Sequence, residues 1–339
     1  MNLEFGKDKT AVIKGIAIVF MIVLHCAIPS YCDIPLKEFS NEKLTHFMGT
    51  FKLCVGIFTF MVGYGYAFSK AKDFKYSLIH IWKLLLSFWI ILIVFTLPFC
   101  FDQVGIEEIF LNLFGIESSL NWFSWFVTFY IYAMIIMPFY GRLIDRNPLL
   151  WSVVGIVLFF ICEVFLHEFY PAYKNNVWLQ RLFDCLLQSP CMILGYLFAR
   201  QKWFLRIHIH SFKYMSLLAF SLIVAILILR SIKNSILGFN LDFFYAPAFI
   251  FLVLIVFNRN QNQLIFKVLT FFGNISVYMW FFHALFFTKL VRNIYQPFVA
   301  ISDSLWIVTF WTIIITSVCS WGIMTLVNQL KFFLRLKKC

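Results

Sequence analysis

The feature that most constrains this chain is a succession of about ten apolar segments, each close to the ~20 residues a helix needs to cross the hydrocarbon layer of a bilayer. They run over 11–29, 50–69, 76–99, 121–140, 149–167, 179–199, 212–231, 242–257, 271–291 and 305–329. Short polar or Pro/Gly stretches such as 141–148 and 258–263 separate most of them. Of the 339 residues, 62% are hydrophobic and only 13% charged, whereas an ordinary soluble domain has about 25% charged residues. A soluble fold of this size has no interior large enough to hide that much apolar surface. Soluble enzymes, secreted disulfide scaffolds and disordered tails are therefore excluded. The expected fold is an all-α polytopic membrane protein of about ten transmembrane helices. It reads as a single integral-membrane domain over 1–339 without an appended soluble domain, because the longest polar stretch covers only about 30–50. The first apolar run is expected to stay as a helix: it is too long for a signal peptide, contains Lys14 and lacks a small-residue cleavage site after it.

A net charge of +12 would suggest nucleic-acid binding in a soluble protein. Here the charges follow the spans. Seventeen Lys and Arg fall before the first span and in every second gap after it. Only six (Lys37, Lys43, Lys174, Arg230, Lys233 and Arg292) fall in the other gaps. By the positive-inside rule both termini are expected in the cytoplasm of a multi-pass cell-membrane protein, with no nucleic-acid partner. Nine cysteines show no CxxC or ligand spacing, so no metal is expected. Cys26, Cys32 and Cys100 fall near the outer face, where a disulfide stays open but no pairing is favoured. The 45 phenylalanines read as lipid-facing bulk.

Ionisable groups inside spans cost about 2.5–3.5 kcal/mol each on insertion scales, so each needs a reason. Lys52, Arg181 and Lys289 lie near an interface, where long stems snorkel, and Arg181 and Asp184 stand at i, i+3 and can pair. His25 lies about 14 residues into the first span, roughly 21 Å along it. Lys14 precedes it by eleven residues, which brings both to within about 20° of one helix face. Glu163 in the fifth span and His283 in the ninth come out at similar depth. A carboxylate and two imidazoles at one level form an acid–base constellation if their helices meet; a neutral histidine bonded to a neighbouring helix is the alternative for His25. Lys75, His80 and Lys83 at the start of the third span suit either positive-inside anchoring or a phosphate site.

Several of these residues sit in segments that resemble the membrane-bound acyltransferase 3 family. Ile13–Lys14–Gly15–Ile16–Ala17 followed by an aliphatic run to His25 is similar to that family's first helix. Phe58 to Tyr64, with Gly63, is similar to its second-helix pattern, and Trp125–Phe126 to its Trp-Phe-Leu segment. Gly273, Ser276, Trp280 and His283 resemble its histidine-bearing helix near the C-terminus. The order and spacing of the four elements match over nearly the whole chain. Lys14 replaces the usual arginine, Val62 the usual serine, and His80 and Lys83 an arginine pair. Lysine does not grip a phosphate bidentately as arginine does.

The resemblance implies transfer of an acyl group, usually acetyl from cytoplasmic acetyl-CoA or another short acyl-CoA, to a hydroxyl. The acceptor would be an extracytoplasmic or lipid-linked glycan. His25, His283 and Glu163 would then be the catalytic group, with Glu163 orienting an imidazole. Lys14, Lys75, His80, Lys83 and Trp125 would serve the donor. Expected partners are the acyl-CoA, the glycan or lipid-linked sugar, and membrane lipids. A transporter or flippase of a lipid-linked glycan, or a glycan polymerase, is the alternative. The halves show no internal repeat of the kind transporters carry, and the outer loops are short for a polymerase.

Overall fold

In the bilayer core every backbone N–H and C=O must be satisfied within the chain, and a helix does this locally. The computed structural model, which describes residues 5–69, 73–168, 175–207, 214–236, 239–258 and 263–333, is accordingly built mostly of helices. Its helices are α1 (Lys7–Ala27), α2 (Glu42–Met48), α3 (Leu53–Ala67), α4 (Phe74–Ile91), α5 (Leu97–Cys100), α6 (Ile106–Leu113), α7 (Trp125–Arg146) and α8 (Pro148–Glu168). They continue with α9 (Val177–Arg200), α10 (Trp203–Arg206), α11 (Met215–Ile236), α12 (Asp242–Val256), α13 (Leu264–His283), α14 (Arg292–Tyr295) and α15 (Leu305–Phe333). No strand occurs among the described residues. Nine helical stretches among them are long and apolar enough to span a membrane, and α12, a further apolar helix, has 15 residues.

Some boundaries differ from the sequence expectation, for local reasons. The fourth span starts at Trp125 instead of 121, because Asn121 to Ser124 are held in a turn whose Asn121 Nδ2 donates to Phe281 O at 3.0 Å. The ninth starts at Leu264 and stops at His283; the apolar run beyond it folds into the short turn Ala284–Phe286. His283 is thus the last residue of its helix and not a mid-helix residue. Arg230, expected in an outer gap, lies inside α11 and forms a buried two-bond ion pair with Asp242 of α12 (Nε–Oδ1 2.7 Å, Nη2–Oδ2 3.0 Å). Its Nη1 also donates to the carbonyls of Gly49 and Thr50, which ties the turn before α3 to both helices. The lipid-facing reading of the phenylalanines fits the exposed Phe244 and Phe310 but not Phe60, Phe88, Phe129, Phe249 or Phe281, which are fully buried. Cys26, Cys32 and Cys100 are free thiols.

Two glycine contacts fix the centre of the bundle. A Cβ on Gly15 of α1 would stand 2.0 Å from Leu269 O of α13, and one on Gly273 of α13 1.8 Å from Ala11 O of α1. Because a helical Cβ leans toward the N-terminus, each glycine points at a carbonyl one turn back on its partner. That is the pattern of two helices running the same way with Gly15 opposite Gly273. Gly63 of α3 and Gly195 of α9 repeat it, with Cβ positions 1.9 Å from Met192 O and 2.0 Å from Phe60 O. Small residues at such crossings let backbones touch and gain dispersion where lipid offers no hydrophobic drive.

The connection between α1 and α2 is fastened to the N-terminal end of α15 and the residues just before it. Lys37 Nζ lies 2.7 Å from Asp303 Oδ2, and the Glu38 carboxylate accepts from Leu305 N at 2.8 Å and from Ser304 Oγ at 3.2 Å. Arg292 and Asp33 add a further ion pair at 2.7 Å. The hydrogen bond from Lys37 holds the Asp303 carboxyl below the usual carboxylate range and the Lys37 ammonium above its own.

Candidate active site

The parallel pairing of α1 and α13 carries His25, in the last turn of α1, to His283, the last residue of α13. His25 Nδ1 and His283 Nε2 are 2.8 Å apart, with ring planes 4° from parallel. On the other side of its ring, His283 Nδ1 lies 2.9 Å from Met279 O. A carbonyl only accepts, so Nδ1 of His283 carries a proton and, in a neutral ring, its Nε2 is an acceptor. His25 Nδ1 then donates, and the tautomer this network assigns to His25 leaves a lone pair on Nε2.

Phe123 stacks on His25 at 3.5 Å between ring centroids, and Tyr31 meets the imidazole edge-on at 5.4 Å. Phe123 is held there by its neighbours. Trp122 N donates to Thr288 Oγ1 at 3.1 Å, and Trp280 Nε1 donates to Phe123 O at 3.2 Å. Stacking of this kind stiffens a ring without competing for its nitrogens.

His25 lines a cavity of about 710 Å³, whereas His283 is fully buried and does not. The reachable imidazole is therefore His25, with His283 behind it. Lys14 lines the same cavity, as its place on the His25 face requires, about 16 Å further down the helix at 1.5 Å per residue. His80 and Trp125 also line it. Lys75 and Lys83 do not: Lys75 is exposed at the start of α4 and Lys83 is half-buried. Arg181 pairs with Asp184 at 2.8 Å, as their spacing predicted, and both face the cavity beside Gln188, whose buried Oε1 has no hydrogen-bond partner among the described residues.

Glu163 is not brought to the histidines. Its Oε1 accepts from Asn240 N at 3.2 Å, on α8, which packs on α7 and α9 and lies outside the α1–α13 pair. Equal depth along separate helices fixes one coordinate only, and the group bonded to the far nitrogen of His283 is the Met279 carbonyl. Sequence reasoning also missed Phe123, which carries nothing to set it apart from the other phenylalanines, and it read Lys52, which lines the cavity, only as a lysine snorkelling at an interface. No group of His, Cys, Asp and Glu able to hold a metal ion occurs among the described residues.

A family model described as an acyltransferase domain matches residues 11–325. Comparison with curated proteins and with solved structures gives no match.

Proposed function

Because the chain belongs to the acyltransferase 3 family, we propose that it transfers a short acyl group, acetyl above all, from cytoplasmic acyl-CoA to a hydroxyl of an extracytoplasmic or lipid-linked glycan. The carrying observation is the pair of histidines at 2.8 Å with only His25 open to the cavity. In this reading both termini lie in the cytoplasm of a cell-membrane protein and the thioester enters from the Lys14 end.

His25 Nε2 takes the proton of the acceptor hydroxyl as the oxygen attacks the thioester carbonyl carbon. The new C–O bond forms, the C–S bond breaks, and the imidazolium returns its proton to the leaving thiolate. His283 accepts the hydrogen bond from His25 Nδ1 throughout, which stabilises the imidazolium and keeps Nε2 aimed at the cavity. Continuity of one cavity from Lys14 to His25 favours this direct transfer, because a thioester entering at one end can reach the base. His80 and Trp125 stand on the donor's route.

The test uses purified protein in nanodiscs with radiolabelled acetyl-CoA. Thioester turnover by the wild type, lost in a His25→Ala variant of unchanged thermal unfolding, is the expected outcome. A wild type that neither binds nor consumes acyl-CoA would overturn the reading.

A further inference from the structure

A neighbouring cavity of about 680 Å³ opens at the N-terminal end of α1, between that helix and the C-terminal ends of α3 and α9. Its charged lining is one-sided. Among the described residues, Lys7, Lys14 and Lys202 face it and no Asp or Glu does. None of the three has an ion-pair or hydrogen-bond partner among the described residues, whereas nearby Lys9 is turned away and donates to Asn258 Oδ1 at 2.8 Å. Lys202 holds a left-handed backbone, φ 52° and ψ 39°, alone among the described non-glycine residues. Uncompensated cations around a recess this size select an anion, and several of them select one carrying more than one phosphate. Aromatic rings line part of the remaining wall, with Phe5 and Tyr64 at 4.4 Å.

The two cavities share Lys14, Met61 and Gly65 as walls. A Cβ built on Gly65 meets nothing within 4 Å. The glycine therefore widens the place where the cavities adjoin, and no close helix packing requires it there.

We propose that this neighbouring cavity holds the phosphate-bearing end of the acyl donor and that its thioester arm passes the gap at Gly65 to reach His25. The proposal rests on the acyltransferase reading above. It places the donor's phosphates on Lys7, Lys14 and Lys202 and leaves Lys75 and Lys83 outside the site. An anionic lipid headgroup carries the same phosphate chemistry, and the experiment separates the two sources.

Coenzyme A and adenosine 3′,5′-bisphosphate, which lacks the arm, are titrated into the protein in phosphatidylcholine nanodiscs. Lys7→Met and Lys202→Met are expected to weaken both ligands about tenfold each, as loss of a charge-assisted contact does. Lys267→Met, an exposed lysine lining neither cavity, serves as the charge control and leaves both affinities unchanged. Gly65→Phe is expected to bind the bisphosphate as the wild type does yet lose acetyl transfer. If the wild type turns over acetyl-CoA while the Lys7 and Lys202 variants bind normally, this placement is wrong and the acyltransferase reading stands. Wild-type protein that binds no coenzyme A overturns both. Coenzyme A binding abolished by phosphatidylglycerol in the nanodisc would make the cavity a lipid site and overturn the proposal.

Discussion

Gly15 and Gly273 face each other where α1 crosses α13, and the same ten-residue step along each helix leads to His25 and His283. That step is about 15 Å at 1.5 Å per residue. The backbone contact of two glycines thus sets the register of two imidazoles that meet at 2.8 Å.

The first prediction follows from that contact. A methyl on Gly273 would stand 1.8 Å from Ala11 O, a main-chain atom that cannot swing aside. Gly273→Ala is expected to destabilise the protein by about 1–3 kcal/mol through overpacking and to lower acyl transfer further by parting the histidines. Gly322→Ala, where nothing lies within 4 Å, is the control. Thermal unfolding in detergent reads the difference, and equal midpoints for the two variants would discredit the packing argument.

His283 acts through His25, so its substitutions should separate by hydrogen-bonding capacity. His283→Leu removes the acceptor for His25 Nδ1 and is expected to cut kcat about 100-fold with little change in KM. His283→Gln offers an amide oxygen in its place and should recover part of the loss. A pH profile of kcat that is identical in wild type and the Leu variant would show that His283 has no part in proton handling.

Phe123 is expected to matter for both stability and activity. Truncation to Ala removes a ring stacked 3.5 Å above His25 and should cost about 3–5 kcal/mol, while Phe123→Leu should unfold later than Ala and still turn over slowly. Activity in Phe123→Leu equal to wild type would mean that the stacking does not position the imidazole.

The Arg230–Asp242 pair is buried on both sides, at 5% side-chain exposure each. Arg230→Met strands a carboxylate and is expected to destabilise by about 3–5 kcal/mol. Adding Asp242→Leu should restore much of that, because a well-packed apolar pair loses no compensation. A double variant no more stable than the single one would contradict this account, as measured by the midpoint of thermal unfolding.

The fastening of the α1–α2 connection should be insensitive to pH over the physiological range. Asp303 is held below the carboxylate range by the hydrogen bond from Lys37, so its contribution is full above about pH 4 and fades as pH falls through the lowered value. Lys37 is raised, so its contribution is full below about pH 10 and fades as pH rises through the raised value. The effect of Lys37→Met on thermal unfolding should therefore be the same at pH 5 and pH 8, and should shrink in high salt because both groups are exposed. A change in that effect between the two pH values would point to a different partner for Lys37.

The helical class, most of the spans and the shared face of Lys14 and His25 are legible in the residue order alone. Each follows from local rules, namely apolar run length, backbone satisfaction in lipid and the 100° step of a helix. The resemblance of its four ordered segments pointed to the acyltransferase 3 family, which the match over 11–325 shows. Lateral packing set which helices are neighbours. It joined His283 to His25, left Glu163 on α8 beside Asn240, and drew Arg230 out of its expected loop into a buried pair. It also singled out Phe123 from chemically identical phenylalanines. Depth along a helix is written in residue number, but lateral position depends on packing contacts such as Gly15 against Leu269 O, whose partners lie hundreds of residues apart in the chain.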